Sequence, residues 1–184
     1  MARPVGLPAR VLWSALATCV VTACAVPPAG AGVGGSAAVA CAGTPGQLVV
    51  ELVNGIRSRH DLTPFLAHGD LAAAALRHSR DQASGGAMGH IGSDGSAPGD
   101  RLTAAGYPWA LVSENVAAGY ASASAVVSAW MDSPPHRATI LSPRAIHAGA
   151  GYIHDQTAPM RHFWTLNVAA PRSPGADAAL PCHP

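Results

Sequence analysis

The stretch Trp130-Met131-Asp132-Ser133-Pro134-Pro135-His136-Arg137 closes an apolar helical face with a proline pair and then presents a histidine. Val126, Val127, Trp130 and Met131 recur at helical spacing. Pro134-Pro135 stops that helix, because proline lacks the amide donor and its ring clashes with the preceding turn. Working outward, Ser113-Glu114-Asn115-Val116-Ala117 lies upstream, and before it Met88-Gly89-His90 leads into Ser93-Asp94-Gly95-Ser96. The three stretches set His90, Glu114 and His136 at intervals of 24 and 22 residues, in otherwise small and apolar sequence. Glu51 and Glu114 are the two glutamates of the chain, so a glutamate inside one of these stretches stands out.

Two imidazoles and a carboxylate gathered in a cleft support three kinds of chemistry. They can hold a divalent metal such as zinc, leaving a fourth position open for water. They can work as an acid–base pair, the carboxylate orienting a histidine and favouring its charged form. They can also satisfy one another as a buried network that fixes three loops. No pair of these histidines has the i, i+4 spacing of a zinc-binding helix, so spacing alone leaves all three open.

Helical spacing recurs at Leu48, Val49, Leu52, Val53 and Ile56 after the start signal Thr44-Pro45. A second helix enters at Asp70, carries Leu71, Ala74, Ala75 and His78, and ends at Gly85-Gly86. A Gly- and Ser-rich loop with His90 follows. Residues 100–105 read as a short helix stopped by Gly106, and residues 111–119 as an ambiguous segment able to run extended. Residues 147–154 and 163–169 alternate or run apolar as strands do. Helices around a small sheet make an α+β or α-β-α arrangement rather than a βαβ repeat.

With 184 residues the chain suits one domain plus an export segment. It has no lysine, its net charge is +1, and its arginines form no run, which removes the electrostatic footprint of a nucleic-acid binder. Arg3 and Arg10 precede a short apolar run, residues 11–21, too short to span a bilayer and suited to a signal peptide over residues 1–23. Val21-Thr22-Ala23-Cys24 resembles a bacterial lipobox, with Cys24 as the lipidated residue and the membrane anchor; the competing reading is ordinary signal cleavage after Ala25 or Ala40. Residues 24–44 read as a flexible tether, 45–170 as the domain, and 171–184 as a Pro- and Ala-rich tail. Cys41 and Cys182 flank the domain, an even pair suited to a disulfide in an oxidising compartment.

The ordered set His90, Ser93-Asp94-Gly95-Ser96, Arg101, Ala105-Gly106-Tyr107, Glu114-Asn115-Val116-Ala117, Trp130-Met131, Ser133-Pro134, His136-Arg137, Ile140-Leu141, Gly149-x-Gly151 and Phe163-Trp164-Thr165 resembles a bacterial SCP domain of the CAP superfamily. With Leu52-Val53-Asn54 and His78-Ser79-x-Asp81 the likeness covers nearly all of 45–170. The resemblance implies a single α-β-α sandwich whose cleft is lined by His90, Glu114 and His136. Many eukaryotic relatives carry a second cleft glutamate just after the tryptophan; here Asp132-Ser133 stands there, and Asp132 substitutes only if the helix turns it inward. Pro135 and Ser113 replace glycines usual before the second histidine and before the glutamate.

The expected function is that of an exported, lipid-anchored envelope protein whose cleft binds a small apolar ligand or envelope component, with a divalent metal as cofactor. Two alternatives stand beside it: a metal- or histidine-dependent hydrolase of envelope material, and a structural surface module. No Gly-x-Ser-x-Gly elbow places a nucleophile, which favours binding over catalysis. His78 reads as a hydrogen-bonded core histidine, and His60, His147, His154, His162 and His183 as structural or solvated. Trp109, Trp130 and Trp164 read as core and cleft wall.

Overall fold

The computed structural model describes residues 43–85 and 88–173. The signal segment, the lipobox with Cys24, the tether up to residue 42, the Cys41–Cys182 pair and all but the first residues of the tail lie outside the described residues.

The described chain runs α1 (Pro45–Arg59), β1 (Leu66–Ala67), α2 (Gly69–Gly85), α3 (Pro98–Ala104), β2 (Trp109–Ala118), α4 (Ala123–Asp132), α5 (Pro134–Ile140), β3 (His147–His154) and β4 (His162–Pro171). The strands form one sheet in the order β1-β3-β4-β2. β3–β4 and β4–β2 are antiparallel, and the two-residue β1 joins β3 in parallel. Thr44 caps α1 in a reciprocal box with Gln47, which satisfies two amides at the helix start.

Side chains on a strand alternate between the two faces of its sheet, and here each face is covered. On one face Val49 and Val53 of α1 and Val126, Val127 and Trp130 of α4 meet Ala148, Ala150, Trp164, Leu166 and Val168. On the other, Leu71 and Ala74 of α2 and Leu102 of α3 pack with Tyr107 and Ala169. The result is the three-layer α-β-α sandwich expected from the sequence.

Glycine sets the spacing of the layers. A Cβ on Gly149 would lie 2.2 Å from the Ala72 amide nitrogen, and one on Gly151 2.2 Å from that of Leu76, so α2 rests its backbone directly on β3. From the opposite face, a Cβ on Gly46 would stand 2.3 Å from the Ala150 carbonyl oxygen. Arg57, 2% exposed, ties α1 to the end of α5: its guanidinium donates to the carbonyls of Thr63, Ile140 and Ser142 at 2.9, 2.8 and 2.9 Å. It also stacks 3.6 Å above the Phe65 ring, and its burial lowers its affinity for the proton.

The structure adds to the sequence expectation at one helix and settles it at one strand. Pro134 ends α4 as anticipated, but it also opens α5, because the fixed φ of proline suits the first helical turn. The ambiguous segment around Glu114 is β2, a full strand of 10 residues.

Gly151→Ala is expected to destabilise the fold by about 1–3 kcal/mol in urea unfolding, since the α2 backbone has no room to yield. Gly55→Ala, whose Cβ would meet only Arg59 Nη1 at 3.7 Å, is expected to stabilise α1. Equal stabilities for the two variants would contradict the close approach of α2 to β3.

Candidate functional site

His90 sits on a loop, residues 88–97, that belongs to no helix or strand. Side chains from its neighbours hold the loop in place. Asp81 of α2 accepts from the Ser93 amide at 2.8 Å and from the Ser93 hydroxyl. Those bonds hold the Asp81 carboxyl below the usual carboxylate range. Asp94 accepts from the Ser96 amide at 2.9 Å, and Gly95 makes the intervening turn at φ +80, where glycine carries no steric penalty.

Arg101, in α3 and 2% exposed, is the centre of the arrangement. Its Nη1 donates to the Ser96 carbonyl at 2.6 Å, and its Nη2 to the His90 carbonyl at 3.1 Å and to Glu114 Oε2 at 2.7 Å. Glu114 projects from the middle of β2, with its side chain 1% exposed. Its other oxygen, Oε1, lies 3.0 Å from His90 Nδ1 and 3.8 Å from His78 Nε2. His78 Nε2 in turn donates to the Gly89 carbonyl, 2.8 Å away. A carboxylate only accepts, so His90 Nδ1 is the donor, and in the neutral ring Nε2 is left as an acceptor. The His90 side chain is 52% exposed, whereas its partner is buried.

The cleft beside this cluster has a volume of about 550 Å³ and is lined by His90, Pro98, Trp109, Val112, Glu114 and Thr139, among others. His136, on α5 with Thr139, forms no side-chain hydrogen bond to His90 or Glu114 among the described residues. Its backbone carbonyl accepts from Asn115 Nδ2 at 3.0 Å. Burial, and secondarily the nearby His90 imidazole, hold the His136 ring below the ordinary histidine pKa. The structure thus bonds His90 to Glu114 and brings His136 close to His90 without a bond. Asp132 is exposed at the end of α4 and does not take the place of the missing cleft glutamate.

Among the described residues no three His, Cys, Asp or Glu side chains converge as a metal centre. Glu114 gives one oxygen to Arg101 and the other to His90, and the guanidinium cation opposes a dication at that carboxylate. As arranged, Glu114 does not fit the role of a zinc ligand, and His90 Nε2 and the His136 ring would be the groups left to hold such an ion.

His78 is the buried, hydrogen-bonded histidine expected on α2, and it also backs Glu114. Trp109 lines the cleft, while Trp130 and Trp164 are buried in the core. His147 is buried, with the Tyr107 hydroxyl 2.7 Å from its Nδ1, and the Tyr152 hydroxyl stands equally close, 2.7 Å, to His162. Sequence reasoning gave Arg101 no role at the site. Its only signal was its place in the motif order.

The fold agrees with what comparison with known proteins shows. The model of the cysteine-rich secretory protein family, CAP, matches residues 50–168. The chain belongs to this family. It is 33% identical over 105 residues to YkwD of Bacillus subtilis (strain 168), covering 57% of this chain and 41% of that protein. The membrane protein YlbC of the same organism is 28% identical over 108 residues, 59% of this chain and 31% of its own length. The chain therefore spans well under half of these relatives. Among solved structures, an extracellular SCP-domain protein of Bacillus anthracis str. Ames is similar with a TM-score of 0.62 and 29% identity, over 68% of this chain and 40% of the other. An outer surface protein of Borrelia burgdorferi shares the fold at a TM-score of 0.63 and 16% identity, over 68% of this chain and 92% of its own.

The site generates a pH prediction. A histidine whose folded pKa is depressed contributes stability that is complete above the unfolded value of about 6.5 and is lost as pH falls through the folded value. NMR titration is expected to place the His136 midpoint below that of an ordinary histidine and to move it upward in His90→Ala. An unchanged His136 midpoint in that variant would show that the two rings do not sense each other.

Proposed function

We propose that this chain is an exported, membrane-tethered envelope protein whose cleft binds a component of the cell envelope without turning it over. The observation that carries the reading is the state of His90. One ring nitrogen is committed to a buried carboxylate that Arg101 holds fixed, and the half-exposed remainder faces a cleft with Trp109, Val112 and Pro98 in its wall. Such a site offers a pre-oriented polar atom beside apolar surface, the combination that gives a ligand both orientation and affinity. Export is supported by the basic and apolar N-terminal segment and by the extracellular relative in Bacillus anthracis. The lipobox supports tethering through Cys24.

The hydrolase alternative fares less well. The Ser93 hydroxyl donates to Asp81, and the Ser96 hydroxyl lies 3.4 Å from Arg101, so neither is paired with an imidazole base. Glu114, the carboxylate nearest His90, is already neutralised by an ion pair. The expectation of an apolar ligand finds its better match elsewhere: a cavity of about 580 Å³ between α1 and α4, lined largely by apolar side chains including Leu52, Ile56, Val127 and Met131. An acyl chain is the second ligand class that the structure suits.

Fractionated envelope material passed over the immobilised chain tests the reading. The wild type is expected to retain a component that His90→Ala releases, and Met131→Trp is expected to abolish only acyl-chain uptake. Equal retention by wild type and His90→Ala would sink the cleft as the binding site, and release of altered material would restore the hydrolase. Tethering predicts that metabolic palmitate labelling disappears in Cys24→Ser, and label persisting in that variant would refute it.

A further inference from the structure

The cleft lies along the edge of the sheet. Among the described residues β2 is the terminal strand in the order β1-β3-β4-β2, and its one strand partner is β4. Consecutive residues of a strand point to opposite faces, yet Val112, Ser113 and Glu114 all line the same cavity. A cavity touched by three successive residues runs beside the strand rather than over one face of it. The walls agree: His90 and Glu114 meet on the α2 side of the sheet, and Thr139 comes from α5.

Every second residue of an antiparallel edge strand turns its N–H and C=O away from its partner. Among the described residues, no backbone hydrogen bond outside the β2–β4 ladder reaches residues 110–115. Residues 110–113 read Ala-Leu-Val-Ser, without the proline or charge that guards many free edges. One irregularity, between Trp109 and Leu111, bounds the open stretch at its start, and the His90–Glu114 pair stands at its other end.

We infer that the cleft takes an extended peptide, which adds to β2 as a further strand and brings its side chains against His90 and Trp109. This inference rests on the binding function proposed above and names its ligand class. A peptide backbone supplies donors and acceptors alternating at about 3.3 Å per residue, the repeat that an open strand edge presents. His90 Nε2 accepts from a polar group of the peptide, and Trp109 supplies an apolar contact that selects among sequences.

The test selects a linear heptapeptide library on the full chain and methylates each backbone nitrogen of an enriched peptide in turn. Placing the perturbation in the ligand avoids a Ser113→Pro variant, whose failure to bind would not be separable from a failure to fold. Methylation at alternate positions is expected to weaken binding about tenfold, with the intervening positions tolerant. Amide exchange at residues 112–114 is expected to slow in the complex. Tolerance of methylation at every position, or binding without amide protection on β2, would overturn strand addition. If envelope material is retained through His90 while no heptapeptide enriches, the peptide inference fails and the binding reading stands. If neither is retained, both fail.

Discussion

The buried ion pair between Arg101 and Glu114 is the contact on which the site depends. A guanidinium and a carboxylate withdrawn from water each carry a large desolvation cost, which their mutual attraction repays only with good geometry and further hydrogen bonds. Arg101 meets that condition by also reaching the carbonyls of His90 and Ser96. One side chain thus joins α3, β2 and an irregular loop that has little apolar surface with which to fix itself. Glu114 passes the constraint on to His90 through Oε1, so the orientation of an exposed ring is decided inside the protein.

The sandwich provides the fixed points for this pair. β3 is clamped between α1 and α2 at distances that only glycine permits at positions 46, 149 and 151. β4 carries that rigidity across to β2, whose far side is the edge from which Glu114 and the cleft are built. A site at a sheet edge has walls from both helical layers and a floor of backbone. This explains why a histidine on a loop and residues of α3 and α5 share one cleft.

Much of this was legible in the sequence. The apolar periodicities of α1, α2 and α4 and the runs of β3 and β4 follow from burial, which acts on each residue according to its place in a local repeat. β2 was ambiguous for the opposite reason. Ser113-Glu114-Asn115 places three polar residues in mid-strand, where they serve the site rather than the core, and alternation is lost. The prolines at 134 and 135 announce the end of one helix, and whether another begins depends on what the chain then packs against. His90 and Glu114 were found by motif order and are bonded. The role of Arg101 escaped because an ion pair across 13 residues and two elements leaves no periodic trace. A zinc centre was one reading of two histidines and a glutamate, and the unforeseen guanidinium argues only against Glu114 as its third ligand.

Glu114, fixed by Arg101, dictates the proton position on His90. Nitrogen-15 chemical shifts of the His90 ring, recorded at alkaline pH, test this most directly. The expected result is the tautomer with the proton on Nδ1, giving way to a mixture in Arg101→Met as Glu114 loses its anchor. A wild-type ring protonated on Nε2, or a tautomer indifferent to the loss of Arg101, would contradict it.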